Sequence, residues 1–486
     1  MSISATLSNA NSGLAAASKR ASVLSNNVAN ALTPGFARRE VGVSERVVAG
    51  QGAGVVVDGV SRATDPALTR ERRSAESALT RDSTVATTYA SFNTALGEPG
   101  DAFSLFTQYQ NLETSFRSLA ETPESQPLQA QVLDAAKSLV NSFNQLASQV
   151  TTTREDADGR IAQEVDGVNA VLKQIAQLND DISAVSAGGG DAAALEDQRK
   201  RLIDDVSKVI PVKEVSRDNN KVDLITNEGI FLIAAGSPRE IEFTRATSID
   251  ANTSFENGTL SGLSIEGSDL TPGGDGSFSL RQGTLAGLFE VRDKIAPGFQ
   301  TQIDGLSRDL IERFEGIDAS LPAGSPGLFT DAGAAFDPAN ETGLAGRLEI
   351  NAIVDPDQGG NVWRLRDGLG ASSQGAAGNA DFIRTMLDSL TALRAPPAGT
   401  GLSGQLSAAN MVADVTSSIG ASRISAETRL SSSSARAQSV IDAETAATGV
   451  DTDQELQRLL LVEQAYAANA RVIQTADQLL RRLLEL

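Results

Sequence analysis

The sequence of 486 residues contains neither cysteine nor histidine. Without cysteine there are no disulfide bonds, so the fold depends on its hydrophobic cores. The lack of both residues excludes zinc sites built from them, Cys–His nucleophiles and Ser–His–Asp triads, and it removes the usual general base at neutral pH. Aromatic residues make up only 4% of the chain, which disfavours an aromatic-lined ligand pocket. We therefore expect no enzyme, no metal site and no cofactor.

Positive charge is also scarce, since 41 basic residues face 62 acidic ones and give a net charge of −21. This balance argues against nucleic acid as a partner, because binding it requires clustered Lys and Arg. The ends of the chain are nearly neutral and the middle is acidic, which fits ends that pack against other copies and a middle that faces water. Acidic surfaces are equally ordinary in soluble proteins, and that simpler interpretation stays open.

Long apolar runs are missing as well. No stretch of about 18 uninterrupted apolar residues occurs, so we expect no membrane span. Residues 1–18 lack the charged start and the apolar block of a secretory signal peptide. If the protein leaves the cell, we expect it to use a route that reads no cleaved signal.

Both ends of the chain carry apolar residues at alternating steps of four and three. The first stripe comprises Ile3, Leu7, Ala10, Leu14, Ala17, Ala21, Leu24 and Val28. The second comprises Leu459, Val462, Tyr466, Asn469, Ile473, Ala476, Leu480 and Leu483, with Asn469 as its polar member. This spacing is typical of a coiled-coil seam. Because closing a long loop costs only slightly more entropy than closing a short one, we predict that the two terminal helices pair; separate docking on a globular body is the alternative.

Between the ends, the pattern is mainly helical with one β-rich insertion. The first helix should end at Thr33-Pro34-Gly35. The glycine-rich run at 50–54 is followed by strand-forming residues, which predicts a hairpin turn and not a nucleotide loop. Residues 128–185 predict a helix pair or one very long helix, and alternating strands begin after Pro211.

The predicted fold class is mainly α with an inserted β domain, built from discontinuous domains. The terminal coiled-coil assembly domain comprises residues 1–35 and 450–486 and is expected to be disordered in the monomer. An elongated helical bundle comprises 36–208, 277–320 and 405–449. The small β-rich outer domain covers 209–276, and a glycine-rich excursion of the outer region covers 321–404.

The most informative motif is SNNVANALTPGF at 25–36, where three asparagines fall within five residues. Asparagine is a weak helix former, so Asn26, Asn27 and Asn30 need a reason to be there. Their amides could satisfy the last carbonyl groups of the helix or bond to a neighbouring subunit. Simple helix termination explains Asn30 well and the Asn26-Asn27 pair poorly.

With this motif, the chain resembles the flagellar axial proteins, the family of rod, hook and hook-associated subunits. SNNVANALTPGF resembles their N-terminal signature, and EQAYAANARVIQTADQLLRRLLEL at 463–486 resembles their C-terminal signature. Within the family, TPGFARREV, GAGVVVDGVSRATDPALTRERRSA, ALEDQRKRLIDDVSKVI and GTLAGLFEVRDKIAPGFQTQIDGL are similar to segments of the hook-associated subunits.

The resemblance implies a structural subunit that joins hook to filament, is secreted through the flagellar type III export channel and polymerises through its terminal helices. The implied partners are copies of itself in a ring, the hook protein, a second hook–filament junction protein, and an export chaperone at the C-terminal helix. The expected assembly interface comprises Leu7, Leu14, Leu24, Asn26, Asn27, Val28, Asn30, Pro34, Gly35, Phe36, Val462, Tyr466, Asn469, Ile473, Ala476, Leu480 and Leu483. A hook or rod subunit is the nearest alternative. A carboxylate-dependent hydrolase would need two converging carboxylates, and the sequence indicates none.

Overall fold

Helices account for most of the computed structural model, which describes residues 3–33, 35–48, 50–98, 100–274 and 276–484. The sheets are small and antiparallel. The predicted class, mainly α with an inserted β segment, is confirmed. Two compact units share the chain. Unit 1 comprises residues 1–79, 166–240 and 433–486, and unit 2 comprises 80–165 and 241–432.

Unit 1 contains both chain ends. It begins with α1 (Ile3–Ala29) and a two-stranded hairpin of β1 (Arg39–Val48) and β2 (Gln51–Arg62). It also holds α5 (Ala193–Val209) and the last helix, α12 (Thr452–Leu484). A four-stranded sheet in the order β3–β4–β5–β6 completes it, and its strands are Val212–Ser216, Val222–Thr226, Phe231–Ala234 and Ser237–Pro238.

Three long helices have residues in both units: α2 (Pro66–Leu96), α4 (Gln126–Ala187) and α11 (Ala408–Thr448). Residues 128–185, for which a helix pair or one helix was expected, form a single helix of 62 residues. Its apolar stripe is continuous, with Val132, Leu139, Phe143, Ile161 and Leu172 almost completely buried. Because no proline or glycine pair interrupts the stripe, the helix has no reason to break.

Unit 2 adds α3 (Leu105–Glu121), α6 (Gly283–Glu290), α7 (Ala296–Phe314), α10 (Asp381–Thr391) and the short helices α8 (Leu344–Arg347) and α9 (Arg364–Asp367). Its small strands are β7 (Ser264–Ile265), β8 (Ser268–Asp269), β9 (Phe329–Asp331) and β10 (Leu348–Ile350). Phenylalanine pairs mark its core: Phe92 stacks on Phe299 at 4.6 Å between ring centroids, and Phe314 meets Phe329 at 5.0 Å.

The helical segment 283–314 contains one local departure from α-helical geometry. Residues Val291–Ile295 form a π-helical turn between α6 and α7, just before Pro297. Proline has no N–H for the regular i to i−4 bond, and a widened turn accommodates that loss. Within this turn the fully buried Arg292 guanidinium lies 2.7 Å from Asp158 and 4.5 Å from the centre of the Phe289 ring.

Smaller boundaries also differ from expectation. Helix α1 ends at Ala29, before Thr33-Pro34-Gly35, and hydrogen-bonded turns follow it through residue 33. Pro34 lies outside the described residues. The two contact units divide the chain at residue 240, inside the predicted β domain of 209–276. The predicted domain boundaries stay a prediction.

Candidate assembly surface of the terminal helices

The two terminal helices lie against each other, as α1 and α12 make the most extensive helix–helix contact in the described chain. They approach most closely where Gly13 faces Asn469. A Cβ atom at Gly13 would lie 2.8 Å from the Asn469 side-chain oxygen. Asn469, the polar member of the second stripe, therefore fits because the residue opposite has no side chain. Its amide also donates to the Ala465 carbonyl oxygen at 3.0 Å. The helices meet, while supercoiled coiled-coil geometry stays a prediction.

The predicted stripe of α1 is covered unevenly. Ala10, Ala17 and Leu24 are buried, whereas Leu7, Leu14 and Val28 are half-buried. The hairpin covers part of α1 as well: the Ser12 hydroxyl accepts a hydrogen bond from the Val55 N–H at 3.2 Å. Alanine and serine at these positions let the helix lie close to its neighbours.

The predicted stripe of α12 is covered less. Ala476 is buried, and Val462, Asn469 and Ile473 are half-buried. Tyr466 and Leu480 remain exposed, at 49% and 38%. The side chain of Leu483 lies outside those described.

Asn27 is fully buried and connects three elements. Its amide nitrogen donates to the Arg39 carbonyl oxygen at 2.9 Å and to the Glu455 carboxylate at 2.8 Å. Its amide oxygen accepts from the Arg39 N–H at 3.0 Å. The end of α1, the start of β1 and the first turn of α12 are thus joined through one side chain. We name this arrangement the Asn27 tie; the functional role predicted for Asn27 in assembly stays a prediction.

The other motif residues have different surroundings. Asn26 is exposed, while the Asn30 amide donates to the Asn26 carbonyl oxygen at 2.9 Å and so satisfies the end of α1. Gly35 has φ of +74°, and a Cβ there would lie 2.9 Å from the Arg201 side chain. Both features explain the glycine, since other residues rarely adopt this φ. Phe36 is half-buried under the Arg39 guanidinium, 4.9 Å from its ring centre.

Buried ion pairs connect the hairpin base to α5. Asp197 lies 2.8 Å from Arg39 and 2.7 Å from Arg62, with only 4% of its side chain exposed. Two arginines from the two strands thus share one carboxylate, which fixes the base of the hairpin on α5. Sequence inspection did not single out this aspartate, because nothing in its local pattern distinguishes it from a solvated helix charge.

A second ionic cluster joins α2, α5 and α11 beside a cavity of about 900 Å³. Asp204 lies 2.7 Å from Arg72 and 2.6 Å from Arg73, and Glu444 pairs with Arg72 and, at 3.2 Å, with Lys200. Burial alone would raise the pKa of Asp204, but the charges of Arg73, Lys200 and Arg72 lower it below its ordinary value. The pKa of Glu444 is lowered in the same way, against its burial, by Thr69, Lys200 and Arg72. In the sequence Asp204 has the pattern of a solvated helix charge, but arginines of α2 cover it in the structure.

Large apolar side chains of α12 remain exposed beside its contact with α1. Leu461, Val472 and Leu479 are 65%, 40% and 48% exposed, and spacings of 11 and 7 residues place them on one helix face. We call these three residues the outer stripe. Leu456 and Leu460 are also exposed, at 49% and 60%. The heptad pattern missed all five, although the run LQRLLLVE at 456–463 carries more leucines than a single seam needs.

The turn after α1 carries another exposed apolar residue, Leu32, with 97% of its surface accessible. Isolated exposed leucines are common, but a nearly bare one on a hydrogen-bonded turn is a good candidate contact residue. No helix of the described chain has the length and apolarity that crossing a membrane requires. In the same residues, no group of three or more carboxylates is placed to hold a metal ion.

Family models match three parts of the chain. One described as the helical domain of flagellar hook-associated protein FlgK matches residues 90–320. The C-terminal model of the flagellar basal body rod FlgEFG proteins matches 445–486, and the flagella basal body rod protein model matches 7–36. Flagellar hook-associated protein 1 of Bacillus subtilis is 23% identical in an alignment covering 98% of this chain and 97% of that protein. The chain is thus similar to flagellar hook-associated protein 1 over nearly its whole length, and it matches flagellar family models in its helical middle and at both ends.

Two further proteins of the family are similar over shorter spans. Hook-associated protein 1 of Escherichia coli is 25% identical over 66% of this chain, and the match spans 59% of that protein. The Salmonella typhimurium protein is 27% identical over 49% of this chain and 44% of its own length. A solved structure titled as the flagellar hook junction protein FlgK from Burkholderia pseudomallei has a TM-score of 0.44 and 20% identity, over 54% of this chain and 46% of that one. Members of this family are structural components of the flagellum.

Proposed function

We propose that this chain is a structural subunit of the bacterial flagellum that forms the junction between hook and filament and has no catalytic activity. The family-model matches in the helical middle and at both chain ends support this role. The observation that carries the mechanism is the apolar surface of α12 that α1 leaves uncovered. Leu461, Val472 and Leu479 stabilise the protein by the hydrophobic effect only when another surface covers them.

Assembly would then bury this surface. A fully buried leucine or valine side chain contributes about 1.5–3 kcal/mol, so covering the outer stripe contributes several kcal/mol per subunit. Copies of this chain in a ring are the first partners, and the hook protein and the second junction protein lie on either side. Before export, a chaperone would shield the same apolar residues of α12. The mature location is extracellular, after type III export.

Paired substitutions on α12 test the proposal in a strain that lacks its own copy of the gene. Val472→Asp with Leu479→Asp places two charges on the outer stripe, whereas Gln464→Asp with Gln478→Asp places the same charges on exposed polar positions of the same helix. We expect the first pair to abolish swimming in soft agar and the second to support it. Normal swimming with the charged outer stripe would reject the mechanism.

Electron microscopy of the deletion strain separates the junction role from its nearest alternative. Loss of a junction subunit leaves hooks without filaments, whereas loss of a hook or rod subunit leaves no hooks. Antibody labelling at the hook–filament boundary gives the same distinction directly. Peptidoglycan hydrolysis by the purified chain would contradict the non-enzymatic role.

The expected disorder of both ends in the monomer belongs to this proposal. Limited proteolysis of the isolated chain should remove roughly the first 30 and last 35 residues early, because exposed and weakly packed ends are cut first. The Asn27 tie predicts that the root of each helix, next to β1, is lost last. Complete protection of both ends would contradict assembly-coupled ordering.

A further inference from the structure

Exposed Leu32 has a matching groove elsewhere on unit 1. A groove of about 360 Å³ lies where α1, β1 and α12 meet. Its apolar lining is formed by Val23, Leu24, Val41, Leu461 and Val462. The lining residues differ in exposure: Leu24 is buried, whereas Leu461 is 65% exposed. The groove is therefore open to an incoming apolar side chain.

The Leu32 turn, residues 30–33, is held in a fixed shape. The Thr33 N–H donates to the Asn30 carbonyl oxygen at 2.9 Å, and the Thr33 hydroxyl donates to the Asn30 side chain at 3.2 Å. Leu32 itself is 97% exposed between these bonded residues. A rigid turn that presents one apolar side chain loses little entropy on docking.

Charge favours the same pairing. The groove is rimmed by Arg20, Arg39 and Arg458 with the single acidic residue Glu40. Arg20 is exposed and has no ion-pair partner in the described chain. The Leu32 turn directly follows the carboxyl end of α1, where the aligned peptide dipoles of the helix place partial negative charge. Arg39 and Arg458 are already paired with Asp197 and Glu455, so the rim cation that suits this helix end is Arg20.

On these grounds we propose that Leu32 of one copy inserts into the α1–β1–α12 groove of a neighbouring copy. This inference rests on the proposed function and specifies one contact of the assembly. The two surfaces lie on different parts of the chain, so the contact is heterologous, and repeated heterologous contacts generate rings or helices. The outer stripe of α12 supplies Leu461 to the groove and leaves Val472 and Leu479 for other contacts.

The absence of cysteine from the chain permits a clean cross-linking test. One gene copy carries Leu32→Cys and a second carries Leu461→Cys, both expressed in the deletion strain, and isolated flagella are oxidised. A disulfide forms only when the Cβ atoms approach to about 4 Å. We expect a covalent dimer that requires both variants. Leu460→Cys, an equally apolar neighbour that does not line the groove, is the matched control and should give at least tenfold less dimer.

Four outcomes overturn the proposal. Equal dimer yields from Leu460→Cys and Leu461→Cys would mean a non-specific contact, and a cross-link from Leu461→Cys to a different protein would assign the groove another occupant. If the chain is present in flagella by immunoblot but no dimer forms, the groove contact is wrong and the junction role stands. If the chain is absent from flagella, both the groove contact and the junction role are wrong.

A second measurement excludes misfolding as the cause. Leu32→Ala removes most of the apolar side chain from an exposed site, so the thermal unfolding of the purified chain should not change. Loss of a buried leucine contact should lower incorporation into flagella by roughly tenfold or more in competition with the unaltered chain. Equal incorporation of both chains would contradict the proposed contact.

Discussion

Replacing Asn27 by alanine tests how the terminal helices are anchored. Asn27 is fully buried and makes three hydrogen bonds, two to the Arg39 backbone and one to the Glu455 carboxylate. Glu455 is only 1% exposed, and its other bonded partner is Arg458, at 3.0 Å. The substitution therefore leaves a buried carboxylate short of a donor and two backbone groups without partners.

The magnitude follows from those three losses. A hydrogen bond between neutral groups contributes about 1 kcal/mol net, one to a charged group contributes about 1.5–3 kcal/mol, and an unpaired buried group costs more than the bond itself contributed. We expect Asn27→Ala to lower the free energy of opening at the root of α12 by about 3 kcal/mol. That change corresponds to roughly 100-fold faster amide exchange, since each 1.4 kcal/mol is tenfold.

Hydrogen exchange read by mass spectrometry on peptides from β1 and the first two turns of α12 measures this opening. Asn26→Ala is the matched control, because Asn26 is exposed and its change should stay within about 0.5 kcal/mol. If both variants exchange at the same rate, the Asn27 tie contributes nothing and the reasoning is refuted.

Three further changes test the packing of each unit. The pKa of Asp204 is lowered from its ordinary value of 3.8, so its ionic stabilisation is complete above that value and is lost as the pH falls through the lower pKa of the folded state. Asp204→Asn should therefore destabilise unit 1 at pH 7 and make its stability depend less on acid pH, as followed by circular dichroism. Exposed Asp205→Asn should change neither property. Gly13→Leu should weaken the α1–α12 contact by about 1 kcal/mol or more in the assembled flagellum, because the added side chain must displace that of Asn469, and lower incorporation into flagella in competition with the unaltered chain would measure it. Arg292→Ala should cost about 3–5 kcal/mol because it leaves buried Asp158 without its arginine, and a fall in the thermal transition of unit 2 would measure the loss.

Two of these changes have surface counterparts. Ser8→Leu adds the same side chain to an exposed position of α1 and should leave stability within about 0.5 kcal/mol. Arg81→Ala breaks partly exposed pairs with Asp82 and Glu290 and should cost about 1 kcal/mol or less. Equal effects at the surface and buried sites would contradict the assignment of buried contacts.

Much of the fold could be predicted from local sequence patterns. The terminal helices α1 and α12, the hairpin around Gly50 and the helical segment 128–185 lie where the sequence predicts them. These elements depend on spacing within a few residues, and periodicity of 3.5 or 2 is visible in a single chain. The family resemblance was likewise readable from its terminal motifs, because those residues stand next to one another in the sequence.

Only the tertiary structure decided which side chains are covered. Asp204 and Asp197 look like ordinary helix charges until arginines from distant elements reach them, and Asn27 is buried because β1 and α12 converge on it. Conversely, Leu461 belongs to the apolar run 459–462, which suggests a core, yet 65% of its surface stays exposed. Burial depends on contacts between residues hundreds of positions apart, and a local pattern states that a face is apolar without stating what will cover it.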